Sequence, residues 1–200
     1  MTAEQSAEHT SEQTSEQIPE QTPEQTSGAS AGRAPQPECP AFLVRPAEPD
    51  DVPELLRLVR ALADYEKEPE AAVATPEQFT RALFPADAAP VASAHVAVQD
   101  GRVVGMALWF TTFSTWTGQP GIWLEDLFVD PDARGGGIGT ALLSELAATC
   151  VERGWMRLEW TVLDWNAPSI AFYRSHGARP LDDWTTFRVD GDALTRLAAA

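Results

Sequence analysis

The sequence has 200 residues, a formal net charge of −16 at neutral pH and a hydrophobic share of 44%. This length predicts one domain with a sizeable core, and the apolar runs are too short to span a membrane. The negative charge argues against nucleic acid or an anionic membrane surface as a partner, because both are bound by clustered lysine and arginine. The two cysteines, Cys39 and Cys150, are too far apart in the sequence for a disulfide framework or a metal site. We see no basic and apolar leader and expect a cytoplasmic protein with unpaired thiols.

Residues 1–40 form a degenerate repeat of Ser or Thr, Glu and Gln with interspersed proline. They contain seven acidic residues and one arginine, with almost no large apolar side chain. Such a segment cannot bury enough apolar surface to offset the entropy lost on ordering. We therefore predict a disordered acidic tail over residues 1–40 and a folded domain over residues 41–200. The composition favours an inert solvated tail over one that binds a partner.

The folded part is predicted to begin with a strand at residues 42–45 and two capped helices. Asp51 is placed to cap the first helix with Glu54 as its capping-box partner, and Thr75 caps the second helix with Gln78. Leucine and valine at helical spacing give the first helix a buried stripe, which comprises Leu55, Leu58, Val59 and Leu62.

From residue 92 onward, strand and helix patterns alternate to the end of the chain. Asp100-Gly101 predicts a tight hairpin, and Gly154 is placed to end a helix. This order predicts a mixed α/β fold around a central sheet. Strands are predicted at 94–99, 102–113, 122–129, 157–163 and 185–189, and helices at 138–153, 166–175 and 192–199.

A glycine-rich loop, Arg134-Gly-Gly-Gly-Ile-Gly139, joins the strand at 122–129 directly to a helix. Glycine lets the backbone approach a ligand closely, and a helix N-terminus offers free N–H groups to an anion such as a pyrophosphate. A nucleotide P-loop is excluded because Thr140-Ala141 follows Gly139 in place of Lys and Ser or Thr. A dinucleotide fingerprint fails because Thr140 stands in place of its third glycine. A turn without a ligand stays open as an alternative, although it needs fewer glycines.

Four blocks of the sequence carry a resemblance to a known family. They are LVRPAEPDD, LADYEKE, WLEDLFVDPDARGGGIG and LDWNAPSIAFYRSHGA, and the resemblance covers about residues 42–198. The chain resembles the GNAT acetyltransferases, and within them the diamine acetyltransferase branch that includes the spermidine/spermine and thialysine enzymes. This resemblance implies the GNAT acyltransferase fold, a mostly antiparallel sheet flanked by helices. It also implies acetyl-CoA as co-substrate, no metal, and a homodimer.

A coenzyme A site follows from the same resemblance. The strands at 122–129 and 157–163 would splay apart, so that the pantetheine arm adds between them through backbone groups. The pyrophosphate would lie on the glycine loop, and a helix start would contact the cofactor beside it. The implied cofactor-binding residues are Leu127, Phe128, Val129, Arg134, Gly135, Gly136, Gly137, Ile138, Gly139, Thr140, Asn166, Ser169 and Tyr173.

The resemblance implies two catalytic residues as well. Tyr173 would protonate the departing thiolate as general acid, and Glu125 would bind the ammonium and take up its proton, directly or through water. Adjacent strand residues point to opposite faces, so Asp126 shares this task only if a bulge intervenes, as it does in the family. A packed tyrosine, a structural Asp126 and a solvated helix end at Tyr65-Glu66 stay open as alternatives. The implied substrate-binding residues are Tyr65, Glu66, Glu125, Asp126 and Trp184.

The expected activity is transfer of acetyl from acetyl-CoA to a primary amine by direct attack in a ternary complex. A backbone N–H near Leu127 would hold the oxyanion. The amine is expected to be a small molecule, similar to a di- or polyamine or to an amino acid. The alternatives are a peptide or protein N-acetyltransferase and an acyl-CoA-binding module without turnover. The bare turn at Asp100-Gly101, where polyamine enzymes carry a longer insertion, leaves the identity of the amine open.

Overall fold

A computed structural model describes residues 41–200, and the tail predicted over residues 1–40 lies outside them. The described part contains a five-stranded sheet in the order β1-β2-β3-β4-β5. The first four strands are antiparallel, and β5 runs parallel to β4. This arrangement confirms the predicted fold class. The strands are β1 Leu43–Pro46, β2 Ser93–Gln99, β3 Arg102–Ser114, β4 Gln119–Val129 and β5 Leu158–Glu159.

Five α-helices accompany the described sheet, and their starts show which capping predictions were right. The Thr75 hydroxyl accepts from the Gln78 N–H at 3.3 Å, and the Gln78 side chain accepts from the Thr75 N–H at 2.8 Å, so this predicted capping box is confirmed. The Asp51–Glu54 box is wrong, because the Asp51 carboxylate instead pairs with Arg45 at 2.6 Å. The helices are α1 Val52–Glu66, α2 Pro76–Leu83, α3 Ile138–Glu152, α4 Ala167–Ser175 and α5 Gly191–Ala198.

The core lies on both faces of the sheet. Alternate side chains of β3 show this: Met106 and Leu108 pack against the α1 face, whereas Ala107 and Trp109 pack against the α3 face. Side chains that alternate in this way mark a central strand that is buried on both sides. Helices α1 and α2 therefore cover one face of the sheet, and α3 covers the other.

The hairpin between β2 and β3 has the predicted form. Asp100 and Gly101 both have positive φ, at 51° and 76°, as a tight two-residue turn requires.

Helix α3 packs closely against the sheet. A Cβ at Gly105 would lie 3.1 Å from the Ile138 side chain, so glycine on β3 lets the start of α3 approach closely.

Two predicted strands near the C-terminus differ from the structure. The strand at 157–163 is reduced to Leu158–Glu159, and residues 185–189 form no strand. Among the described residues no neighbouring strand is available to hydrogen-bond with residues 185–189, and their side chains are exposed.

Helix α5 contains no buried residue. Within residues 41–200, no helix is both long enough and apolar enough to cross a bilayer.

Candidate active site

A β-bulge in β4 organises the acidic residues of the site. Leu108 of β3 pairs with Asp126, and the next β3 residue, Trp109, pairs with Leu124. Glu125 is therefore the extra residue of the bulge, without a partner in this ladder. The family-based expectation of a bulge next to the acidic pair is thus confirmed.

The bulge changes which side chains share a face of the sheet. Leu124 packs in the cluster on the α3 face, and so does Leu127, although three positions separate them. Phe128 packs on the α1 face. Asp126, two residues before Phe128, therefore also points towards α1. The extra residue thus lets Glu125 and Asp126 lie on one side of the sheet.

Three segments that are distant in sequence meet around Asp126. Burial, followed by the charges of Glu125 and Glu66, raises the pKa of the Asp126 carboxyl to about 6. Burial, followed by the charges of Asp126 and Glu66, raises the pKa of Tyr173 to about 12. Burial also raises the pKa of Glu66. These mutual charge effects indicate that the end of α1, the bulge of β4 and the C-terminal part of α4 lie near one another, and the region between Glu66, Asp126 and Tyr173 is the pocket of the candidate site.

Glu125 and Asp126 differ in depth. Glu125 is exposed, and its carboxylate accepts a hydrogen bond from the Trp123 indole N–H at 2.9 Å. Asp126 is partly buried. Among the described residues neither carboxylate has an arginine or lysine nitrogen within 4.0 Å. The pocket therefore presents unneutralised negative charge, which suits an ammonium group.

The edge of β4 beyond the bulge is free on one side. Pairing with β5 covers only Ile122 and Trp123, opposite Leu158 and Glu159. From Leu124 onward no described strand pairs with this edge of β4. The pairing of β4 with β5 thus stops where the two strands were predicted to diverge. The gap leaves backbone N–H and C=O groups available to an amide-bearing ligand.

The glycine loop lies beyond this free edge. Gly135 and Gly137 have φ of 86° and 85°, in the left-handed region that favours glycine. Gly137 is also the N-cap of α3, and no side chain caps this helix. The first N–H groups of α3 are therefore free to bind an anion. This geometry fits the pyrophosphate expected there.

A salt bridge fixes the exit of β4 against α1. The Arg57 guanidinium contacts the Asp130 carboxylate at 2.9 Å and donates to the Val103 carbonyl at 2.9 Å. The Asp130 N–H donates to the Val104 carbonyl at 2.8 Å. Asp130 and Glu54, which also pairs with Arg57, raise the pKa of this guanidinium. The loop that follows β4 therefore starts from a fixed position.

Tyr65 joins the amine side of the site to the cofactor side. Its hydroxyl donates to the Asn166 side-chain oxygen at 3.0 Å, and the same oxygen accepts from the Ser169 N–H at 3.3 Å. The Arg134 guanidinium lies 5.4 Å from the centre of the Tyr65 ring and 5.3 Å from that of Phe128. Tyr65, predicted to bind substrate, therefore also contacts Asn166 and Arg134, two residues predicted to bind the cofactor.

Helix α4 is held against the start of α3. The Thr140 hydroxyl and the His176 ring nitrogen Nε2 are 3.1 Å apart. The ring of Tyr173 packs 4.7 Å from that of Trp160 and 5.3 Å from that of Phe172. These aromatic contacts fix the orientation of the phenol. Sequence reasoning did not assign His176 to the site, because the histidines of the chain have no metal-ligand spacing.

The structure does not bring Trp184 to the pocket. Its side chain is 72% exposed and makes no aromatic or hydrogen-bonded contact with the other described residues. Trp165, which the sequence did not single out, is instead near the site: its ring lies 5.9 Å from that of Tyr65. The only sequence signal for Trp165 is its place directly before the Asn166 cap.

The site combines a split sheet edge, an uncapped glycine loop and a tyrosine beside a group of carboxylates. This combination is typical of the acetyl-CoA-dependent N-acetyltransferases. The sequence model of the Acetyltransferase (GNAT) family matches residues 56–178. The chain belongs to the GNAT acetyltransferase family. This family uses acetyl-CoA as co-substrate, and no group of metal-ligating side chains is found within residues 41–200.

Comparison with known proteins gives relatives of similar length. The chain is 35% identical over 168 residues to the thialysine N-epsilon-acetyltransferase of Sus scrofa, covering 79% of this chain and 98% of the relative. It is 35% identical over 100 residues to the L-ornithine N5-acetyltransferase NATA1 of Arabidopsis thaliana, covering 50% of this chain and 44% of that protein. An integron cassette protein of V. cholerae has a similar fold, with a TM-score of 0.67, 24% identity, and coverage of 80% of this chain and 99% of that chain.

Proposed function

We propose that this enzyme acetylates the terminal primary amine of a small molecule similar to an amino acid or a diamine, by direct transfer in a ternary complex. The observation that carries the proposal is the convergence of Glu66, Asp126 and Tyr173 beside the free edge of β4. The names of the relatives, which include thialysine and ornithine acetyltransferases, support a small amine as acceptor.

The carboxylates bind the amine and accept its proton. An alkyl ammonium must lose a proton before its nitrogen can attack an acyl group. Glu125 is exposed and would receive the ammonium, directly or through water. Asp126 is more deeply buried, and its pKa of about 6 is close to the range in which a general base works well at neutral pH. Glu125 therefore binds the ammonium, and Asp126 accepts its proton.

Tyr173 supplies the proton at the other end of the transfer. Acetyl-CoA brings an activated acetyl thioester, whose sulfur must be protonated as it leaves. A pKa of about 12 keeps the Tyr173 hydroxyl protonated at neutral pH, so that it is a hydrogen donor. We propose that Gly135, Gly137 and the start of α3 hold the pyrophosphate, because they offer free N–H groups in a fixed geometry.

Steady-state assays with acetyl-CoA test this function. We expect turnover with thialysine, L-ornithine, L-lysine or putrescine, and none or little with an N-terminal peptide. Calorimetry with coenzyme A should show binding. Turnover of the peptide alone would favour a peptide N-acetyltransferase, and coenzyme A binding without any turnover would favour a binding module.

We also propose a homodimer in the cytoplasm, with neither nucleic acid nor membrane as a partner. The C-terminal segment, residues 179–200, exposes apolar side chains that a single chain leaves uncovered. A second copy that packs against this segment would bury them. Light scattering on the full chain should give the mass of a dimer, and a monomer mass at micromolar concentration would overturn this assignment. The exposed side chains are Leu181, Trp184, Phe187, Val189, Leu194 and Leu197.

A further inference from the structure

Lys67 is the only lysine in the sequence, beside thirteen arginines. It ends α1 with φ 67° and ψ 27°, in the left-handed region. Glycine is usual at this position, because a side chain there costs about 1–2 kcal/mol. A long side chain retained in a strained conformation points to a use for that side chain.

The lysine side chain reaches across to the start of α4. Its ammonium lies 5.5 Å from the centre of the Trp165 ring, within the range of a cation–π contact. Trp165 packs beside Tyr65, whose hydroxyl binds Asn166. Among residues 41–200 no carboxylate lies within 4.0 Å of the Lys67 ammonium, although its sequence neighbours Glu66 and Glu68 are acidic. The charge of Lys67 is therefore available to a ligand.

The site consequently carries opposite charges at two ends of α4. Asn166 and Tyr173 are seven residues apart, on the same side of the helix and about 10 Å apart along its axis. Lys67 is held near Asn166, and the carboxylate of Asp126 lies near Tyr173. An extended amino acid of lysine or ornithine length separates its carboxylate from its terminal amine by about 7 Å from ordinary bond lengths. A polyamine of the same length would instead bring a second cation towards Lys67.

We propose that Lys67 binds the α-carboxylate of the acceptor, so that the enzyme selects amino acids with a terminal side-chain amine over diamines and polyamines. This inference rests on the proposed function and narrows its substrate class. Lys67 acts here as a specificity residue, because it contacts the end of the substrate that does not react.

Matched substrate pairs test the inference. L-ornithine and putrescine differ only in the carboxylate, as do L-lysine and cadaverine. In the full-length enzyme, we expect Lys67→Met to lower kcat/KM for L-ornithine about tenfold to hundredfold through KM, as for loss of a charged hydrogen bond. The value for putrescine should stay the same or rise. Arg60→Met is the control, because it removes the same charge from an exposed position of α1 and should leave the ratio of the two substrates unchanged.

Two further outcomes separate the failure of this inference from that of the proposed function. If Lys67→Met changes both members of each pair equally, or neither, Lys67 does not bind the carboxylate. If no amine is turned over, calorimetry of L-ornithine and putrescine in the presence of coenzyme A gives the same comparison. A preference for L-ornithine that Lys67→Met abolishes would then support the inference while the proposed activity fails. A preference that survives the substitution would overturn the inference.

Discussion

The two halves of the site are built in different ways. The proposed cofactor half relies mainly on backbone groups, from the free edge of β4 and from residues 134–140, where Gly135 and Gly137 have left-handed conformations. The amine half uses the side chains of Glu66, Asp126 and Tyr173, which come from three elements far apart in the sequence. Substitutions in the first half should therefore act through backbone conformation. Those in the second should act through individual charges and hydroxyls.

The amine half is tested most strongly at Tyr173. We expect Tyr173→Phe to lower kcat about 10²- to 10⁴-fold, the usual contribution of a general acid, with little change in coenzyme A affinity. The phenyl ring keeps its packing against Trp160 and Phe172, so the fold should be unaffected. Stopped-flow or steady-state rates and calorimetry provide the measurements.

Tyr65→Phe is a matched control, because Tyr65 is the other of the two tyrosines in the chain. Its hydroxyl donates to Asn166 rather than facing Asp126, so we expect weaker cofactor or substrate binding and a modest change in kcat. Equal losses of kcat in the two variants would mean that Tyr173 acts through packing, and the general-acid role would be wrong.

Local signals explain which parts of the fold could be predicted from the sequence. The capping box at Thr75 and the hairpin at Asp100-Gly101 each depend on residues within one turn. Helix α1 starts after Asp51 as predicted, but the Asp51–Glu54 capping box was wrong, because the Asp51 carboxylate is bound by Arg45 of β1, a partner that helix patterns do not reveal. The strand at 185–189 depends on a neighbour, and the described chain provides none.

The same distinction holds within the site. The glycine loop is a continuous motif, so the sequence alone predicted its anion-binding geometry. The side-chain directions of Glu125 and Asp126 depend on a bulge whose presence was expected only from the family resemblance. The greater burial of Asp126 and the contact between Lys67 and Trp165 depend on how α1 and α4 meet the sheet. No periodicity in the sequence encodes these contacts.

Asp126 should lower the stability of the protein at the pH at which the enzyme works. Its pKa is raised from 3.8 to about 6, which corresponds to about 3 kcal/mol. Between these values the folded protein holds a proton that the unfolded chain releases. Below pH 3.8 the carboxyl is protonated in both states, so the protein keeps its full stability there. This stability is lost as the pH rises through 6 and the buried carboxyl must ionise. Asp126→Asn should then raise the free energy of unfolding by up to about 3 kcal/mol at pH 7.5, with little gain near pH 4, while lowering kcat/KM about 10²-fold.

Urea unfolding across this pH range measures the stability change. Asp132→Asn is the control, because it makes the same chemical change at an exposed carboxylate and should give a small difference that does not vary with pH. A gain for Asp126→Asn that is equal at pH 4 and pH 7.5 would contradict the buried-carboxylate interpretation. A stability gain with no loss of rate would remove Asp126 from the catalytic pair and leave proton acceptance to Glu125.

The cofactor half is tested at Gly137, with the smallest expected effect. Alanine at φ 85° costs about 1–2 kcal/mol, although a Cβ there would meet no atom within 4 Å. Gly118, in the turn between β3 and β4, has φ 67° and equally open space, so Gly118→Ala should cost similar stability. Only Gly137→Ala should also shift the free N–H groups of α3 and weaken coenzyme A binding, about fivefold to thirtyfold by calorimetry. Equal affinities in the two variants would show that the cofactor is held by the free β4 edge rather than by the glycine loop.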